Sequence, residues 1–543
     1  METKLARWCD GLIEAGVLLA VILAPLFFNI HSDRVFEPDK LTLVRSIALV
    51  MSVAWLARFV DTAGWRDLRW LRWRDEASIW RRPFVLPVFL LVVVYLLSTL
   101  FSVTPRVSWA GSYQRLQGTY TTLSYVVIFA LAAATFRRRE QINRLVTTII
   151  VTSIPISLYG LLQHYDLDPL PWGGDTQRRI AGHMGNAIFI AAYLIMVWPL
   201  TAVRIVDAFT SILNDEQVSY ADVIRSSVYI FTLAIQTVAI YWSGSRGPWL
   251  GLAIGAFALI LILLVSLRNA TAEGRFKAGD FGRALGLTVG AIVAGGGVLF
   301  LLVRLLAGSG RLQALAGPGT WLVAFLGGAA IAAIAILVLM AAGRGWRWLW
   351  MSWLLLAVLA IGWVALFNLA PPPAEAADSP VPTAVLETVD AWRQIPNVGR
   401  FGRLLEAESG TGRVRVLIWE GVLDLLAPHE PLAFPDGEED PFNFLRPLLG
   451  YGPESMYVAY NGFYVPELAT LEARNASPDR SHNETFDTLV ITGALGFLAW
   501  QVLYVYRGSA DRLDDGPDSF LTHLQDMTEA AGGEFVVLND PSI

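Results

Sequence analysis

Apolar residues in this chain run in long unbroken blocks rather than in the stripes of a soluble fold. Twelve blocks stand out, at 11–30, 41–59, 84–101, 119–136, 145–162, 187–203, 228–242, 249–267, 284–303, 321–341, 348–369 and 486–506. Many approach the roughly 20 apolar residues needed to cross a bilayer. A backbone in lipid must bond its own polar groups, so each block is predicted as a helix. A closed barrel would need alternating strands of about ten residues, and these blocks do not alternate. The pattern predicts an all-α polytopic membrane protein of about twelve transmembrane helices, with a large extracytoplasmic loop between the last two.

Arginine placement orients the blocks. The connections after the second, fourth and eighth carry clusters such as Arg66–Arg69–Arg72, Arg137–Arg138–Arg139 and Arg268–Arg275–Lys277. Basic loops stay in the cytoplasm, which puts the N-terminus inside. The first block is long and no small-residue cleavage site follows it, so it reads as a helix rather than a signal peptide. Segments 102–118, 164–186, 243–248 and 370–485 then share the outer face. The division expected is residues 1–369 as helices one to eleven, 370–485 as the extracytoplasmic loop, 486–506 as the last span, and 507–543 as a polar cytoplasmic tail.

The long loop opens on PPPAEAADSPVPT, which reads as a flexible or polyproline-like linker. A helical pattern follows from Arg413, with Val414, Leu417, Ile418, Val422 and Leu425 on one face. Such a segment is expected to lie flat on the membrane surface as an interfacial helix. A turn-rich acidic stretch, FPDGEEDP, and the aromatic run LLGYGPESMYVAYNGFYVPE come next.

Composition narrows the classes. At 55% hydrophobic and 16% charged residues, the 543-residue chain is too apolar to be soluble. Forty-one Lys and Arg against 47 Asp and Glu give a net charge of -6, which offers nothing to nucleic acid. The single cysteine, Cys9, excludes a disulfide framework and a Cys-rich metal site. No metal-binding or nucleotide-binding motif stands out, so neither metal nor cofactor is expected.

Chemistry concentrates in the outer segments. Arg246 sits in the tight turn SGSRGPWLG, where an exposed guanidinium suits a phosphate; an arginine anchoring a helix at the interface looks the same. Arg415 stands four residues before Trp419, and Arg413 points elsewhere on a helix. SHNETFD carries His482, and histidine is a residue type suited to act as a general base. Ser481 or Asn483 can equally be a helix cap with the histidine incidental, and Asp479, Glu484 and Asp487 can orient the imidazole or favour the helix N-terminus. GSYQRLQG carries Arg115, and RRIAGHMGN carries Arg179, His183 and Asn186. Convergence of Arg115, Arg179, Arg246 and Arg415 would make an electropositive funnel for an anionic lipid-linked substrate. Tyr451, Tyr457, Tyr460, Phe463 and Tyr464 suit either sugar stacking or an interfacial aromatic belt.

Taken together, SGSRGPWLG, the Arg415-x-x-x-Trp419 pair followed by LLGYGPESMY, and SHNETFD resemble segments of the O-antigen ligase and polymerase superfamily of bacterial membrane glycosyltransferases. GSYQRLQG and GHMGNAIFIAAYL add to the resemblance, which extends from about Phe101 to Gly496 as islands. It implies an inner-membrane enzyme, free of metal and nucleotide sugar. Such an enzyme passes a glycan from an undecaprenyl-diphosphate carrier to a glycan, lipid or protein hydroxyl at the periplasmic face. Arg246 and Arg415 would hold the diphosphate and His482 would assist the acceptor. Arg115, Arg179, Asn483 and Tyr451 are the further substrate-binding candidates. Ligase, polymerase and protein O-oligosaccharyltransferase activities would share this donor chemistry. Three departures are an acidic insert, AFPDGEEDPFNFLR, three spans between the helix after the Arg246 turn and the long loop, and a polar tail where family members continue with helices. Other classes are a transporter of lipid-linked glycans, which favours mid-span charges such as Glu14, Arg45 and Arg304 and broken helices, and a catalytically silent remnant.

Overall fold

The computed structural model describes residues 3–64, 84–170, 174–214, 220–266, 410–472 and 476–509, with shorter pieces between 357 and 402. Among these residues the protein is helical, and one isolated bridge, Ala433 to Glu439, is the sole β pairing. Helices α1 (Lys4–Leu26), α2 (Pro38–Asp61), α6 (Arg139–His164), α7 (Ala187–Asn214) and α12 (Glu484–Ser509) are long and apolar enough to cross a membrane. Shorter apolar helices are α3 (Val85–Leu100), α5 (Thr119–Thr135), the Ser227–Trp242 part of α8 (Tyr220–Trp242), and α9 (Arg246–Ser266). A short α4 (Pro105–Ala110) joins α3 to α5. The blocks at 284–303 and 321–341 lie outside the described residues, as does most of 348–369.

Helix ends follow local polar chemistry rather than the edge of the apolar block. The first helix begins at Lys4 because the Thr3 hydroxyl accepts from the Ala6 N–H at 3.0 Å. It stops at Leu26, short of the expected Ile30, where Phe27 turns extended (ψ 136°). Pro38 opens α2 at a position where its missing N–H costs nothing. The Asn186 side chain accepts from Ile188 N–H at 2.9 Å and starts α7, so Asn186 is a helix cap.

Two compact units emerge: Met1–Ser243 with Ala407–Phe535, and Gly244–Glu406 with Val536–Ile543. In the first, α1 packs on α2, α5 and α6, α7 on α8, and α3 on α12. The two deep charges described there are satisfied internally. Glu14 of α1 accepts from Gln141 and Arg144 of α6, both at 2.8 Å. Arg45 of α2 donates to Thr121 Oγ1 (2.8 Å) and to the carbonyls of Ala110 (2.6 Å) and Leu116 (2.7 Å). In the second unit, α10 (Thr383–Arg393) packs Leu386 and Val389 on Phe367 and Ala370. Arg393 donates to the Phe367 and Ala370 carbonyls that end the preceding helix. The sequence pattern gave no sign of α10.

The last long helix is broken. At Gly493, α12 leaves helical geometry (φ 64°, ψ −166°), which frees carbonyls inside an apolar segment. Unbonded carbonyls in lipid are costly. Here the LLGYG segment closes the gap: Tyr451 N–H donates to Val490 O (2.7 Å) and Gly452 N–H to Ile491 O (3.1 Å), while the Ser98 hydroxyl also reaches Ile491 O. A Cβ on Gly450 would stand 2.6 Å from the Ile491 and Thr492 backbone, and one on Gly493 would stand 2.4 Å from Leu448. Glycine at both positions allows the two backbones to touch.

Candidate functional site

The SHN segment is a fixed turn at the start of α12. Ser481 is fully buried. Its N–H and hydroxyl both donate to Asp487 Oδ1 at 2.8 Å, and its carbonyl accepts from the Trp419 indole N–H at 2.9 Å. Asn483 caps the helix, accepting from Thr485 N–H (3.0 Å) and Phe486 N–H (3.4 Å). Asn483 therefore has a structural task at a position where a substrate contact was expected. Between these two anchored residues His482 takes a left-handed conformation (φ 55°) and is exposed. Its imidazole makes no hydrogen bond among the described residues. Of the carboxylates that might orient it, Asp487 holds Ser481 and Asp479 faces Arg115. A strained non-glycine residue held by its neighbours is a marker of a functional site, although histidine tolerates this region better than most residues.

Helix α11 (Gly410–Leu426) carries Arg415 to this turn. Arg415 and Trp419 are one turn apart on the same face, and the indole of Trp419 bonds the Ser481 carbonyl next to His482. Arg415 is exposed and makes no ion pair or hydrogen bond among the described residues. Arg413 points away and grips Glu467 with two bonds of 2.9 and 2.7 Å. The apolar face of α11 is covered by protein: Leu417, Ile418, Val422 and Leu425 pack against Met456, Tyr460 and Leu468.

That packing revises the reading of the aromatic run. Tyr451 is 1% exposed; its hydroxyl donates to Leu425 O (3.1 Å) and meets His429 Nε2 at 2.7 Å. Burial pushes its phenol pKa up, against the opposing Arg446 charge. Tyr451 is a core residue and presents no surface to a sugar, and Tyr460 is equally buried. Both were expected at a surface because aromatic spacing alone does not distinguish a core from a belt.

The 102–118 segment, which ends in GSYQRLQG, is held by LLGYGPES. Ser102 Oγ donates to Tyr451 O (2.9 Å) and Ser108 Oγ to Pro453 O (2.8 Å). The Glu454 carboxylate accepts from the N–H groups of Ser112 and Gln117, closing the loop around itself. Arg115 in this loop is paired with Asp479 and, at 3.5 Å, with Glu37. Burial alone would lower the Arg115 pKa, but the Asp479 hydrogen bond and the charges of Asp479, Glu37 and Glu454 outweigh it and raise it. Arg480, one residue before Ser481, donates to the Gln117 side-chain oxygen.

The remaining candidates have their own surroundings. Arg179 donates to the Ser243 carbonyl at 3.2 Å. Arg246 is the first residue of α9, in the other unit, half-buried and just after the left-handed Gly244. His183 is set between Tyr159 (4.4 Å between ring centroids) and Phe28 (5.6 Å), with Lys40 Nζ on its carbonyl at 3.3 Å. Burial first, then the Lys40 charge, hold the His183 pKa down to about 4 against the pull of Asp168.

The structure thus joins the helix that carries Arg415 to the His482 segment through Trp419 and Ser481, and joins Arg115 to the same segment through Asp479. Sequence reasoning missed Arg480 and Glu454, which lie inside or beside the quoted motifs without carrying their pattern. Among the described residues no His, Cys, Asp and Glu group is arranged to hold a metal ion. Compared with known proteins, the chain matches no family model, no curated protein and no solved structure.

Proposed function

We propose that this protein is a membrane glycosyltransferase of the O-antigen ligase type. It would take an oligosaccharide from a polyprenyl-diphosphate carrier and place it on a hydroxyl of a glycan, lipid or protein at the periplasmic face of the bacterial inner membrane. The observation that carries this reading is the indole bond from Trp419 to Ser481, because it joins the Arg415 motif to the His482 motif. An acceptor hydroxyl attacks the anomeric carbon, its proton passes to the His482 imidazole, and the bond to the diphosphate oxygen breaks. Arg415 stabilises the charge that builds on the leaving diphosphate. A single in-line displacement of this kind inverts the anomeric centre. His482 is exposed and its imidazole bears no hydrogen bond among the described residues, which suits a base that must meet an external hydroxyl.

A transporter reading draws on one observation, the break in α12, since broken helices mark transport sites. The freed carbonyls there already accept from Tyr451 and Gly452, so they do not line a passage, and the transferase reading is preferred.

The test is incubation of purified protein with a diphosphate-linked lipid glycan and candidate acceptors, measuring release of carrier diphosphate. Arg415→Ala and His482→Asn should each abolish release while the protein still inserts into membranes. Asparagine keeps the left-handed backbone comfortable and removes the base. Undiminished release from both variants would discard the assignment.

A further inference from the structure

We propose that Arg480 is the second cation of the anion site at the SHN turn, so that Arg415 and Arg480 together hold a diphosphate and Arg115 does not. This assignment rests on the lipid-linked donor reading above. Three guanidinium groups stand near the turn, and their partners separate them. Arg115 faces two carboxylates, Asp479 and Glu37, so an incoming anion must displace charges already in place. Arg480 faces the neutral amide oxygen of Gln117, and among the described residues no carboxylate lies within ion-pair distance of it. An arginine has five N–H donors, and this contact uses one. Gln117 is itself fixed through its backbone N–H on Glu454, so the amide acts as a rest that holds the guanidinium in place without neutralising it.

Position supports the same division. Arg480 is separated from His482 only by Ser481, the residue anchored by Asp487 and Trp419. Arg415 lies one helical turn from Trp419, whose indole bonds the Ser481 carbonyl. Two guanidinium groups with no carboxylate partner among the described residues therefore sit on the two segments that this bond joins. A diphosphate carries more than one negative charge and several acceptor oxygens. Planar guanidinium forks match it better than a single point charge would.

The experiment is equilibrium dialysis of the full-length protein in neutral detergent against radiolabelled inorganic diphosphate at low ionic strength. Wild type should bind. Arg480→Gln and Arg415→Gln should each weaken binding about tenfold or more, as expected for losing charged hydrogen bonds. The charge-neutral double variant Arg115→Gln/Asp479→Asn should stay within about threefold of wild type. Gln117→Ala, which leaves Arg480 charged, should bind at least as tightly as wild type and guards against a merely misfolded Arg480→Gln. Failure of wild type to bind, unchanged binding by Arg480→Gln, or equal weakening in Gln117→Ala or the double variant overturns the proposal. Displacement of the label by undecaprenyl diphosphate in nanodiscs supports the carrier as the natural ligand. Displacement by phosphatidylglycerol nanodiscs alone overturns the diphosphate assignment. Loss of glycan transfer in every assay, with the binding ranks intact, would remove the transferase reading and leave the anion site. Transfer by Arg480→Gln at an unchanged KM would remove the site and leave the reading.

Discussion

The α1–α2 pair and the α11 cap obey different rules of burial. In the cap, polarity sorts the faces: Leu417, Ile418, Val422 and Leu425 are inside, while Arg415 and Glu420 are exposed. In the helix pair it does not. Ile13 and Met51 are fully buried, yet Leu12, Val50 and Val53 beside them are largely exposed. Trp8 is 79% exposed. Lipid is as apolar as leucine, so hydrophobicity gives no preference for inside over outside within the bilayer. Close packing decides instead, and small residues mark the contact: a Cβ on Gly16 would come within 2.6 Å of Met51. The cap is held by oriented polar groups and amphipathic burial, and the helix pair by shape.

The contrast breaks hardest at Arg446. Its guanidinium is 3% exposed, holds Asp440 through two bonds of 2.6 Å, and reaches the carbonyls of Phe101 and Gly450. Arg446→Ala leaves a buried carboxylate and two orphaned carbonyls, and should cost about 3–5 kcal/mol. Early proteolysis between 427 and 480, with the transmembrane helices still protected, is the result expected in limited digestion. Simultaneous loss of both regions would show that they are not separable.

A smaller effect is expected in the bilayer half. Gly16→Leu overfills the contact with Met51 and should cost about 1–3 kcal/mol, although it makes the chain more hydrophobic. Thermal unfolding in detergent measures it. A stabilised variant would mean that polarity, not shape, rules there as well.

A pH dependence is expected where His183 packs between Tyr159 and Phe28. The His183 pKa sits near 4 in the folded protein, below the ordinary 6.5. The unfolded chain therefore binds more protons in that interval, and stability falls as pH drops from about 6.5 toward 4. Above 6.5 the His183 contribution is constant. His183→Gln should flatten this part of the stability profile relative to wild type. An unchanged slope would move the titrating group elsewhere.

Part of this site was legible in advance. Arg413 and Arg415 diverge because they are two residues apart on a helix, and Asn483 caps α12 because its side chain can reach the next N–H groups. Both follow from local geometry. That Arg115 is neutralised while Arg480 is not could not be read, because Asp479 and Glu37 lie far from Arg115 along the chain. Tyr451 looked like a surface aromatic because its partners, Leu425 and His429, come from another segment.

The sequence by itself determined that the described chain is helical, where the apolar helices run, and where arginine, histidine and glycine gather. Each of these is a local property of backbone bonding, solvent preference or spacing. Only the tertiary structure decided which charges cancel, which aromatic is core, and which carbonyls of the broken α12 find donors. Those outcomes depend on pairings between distant segments, and the strength of such a pairing is set by distance and burial rather than by residue type.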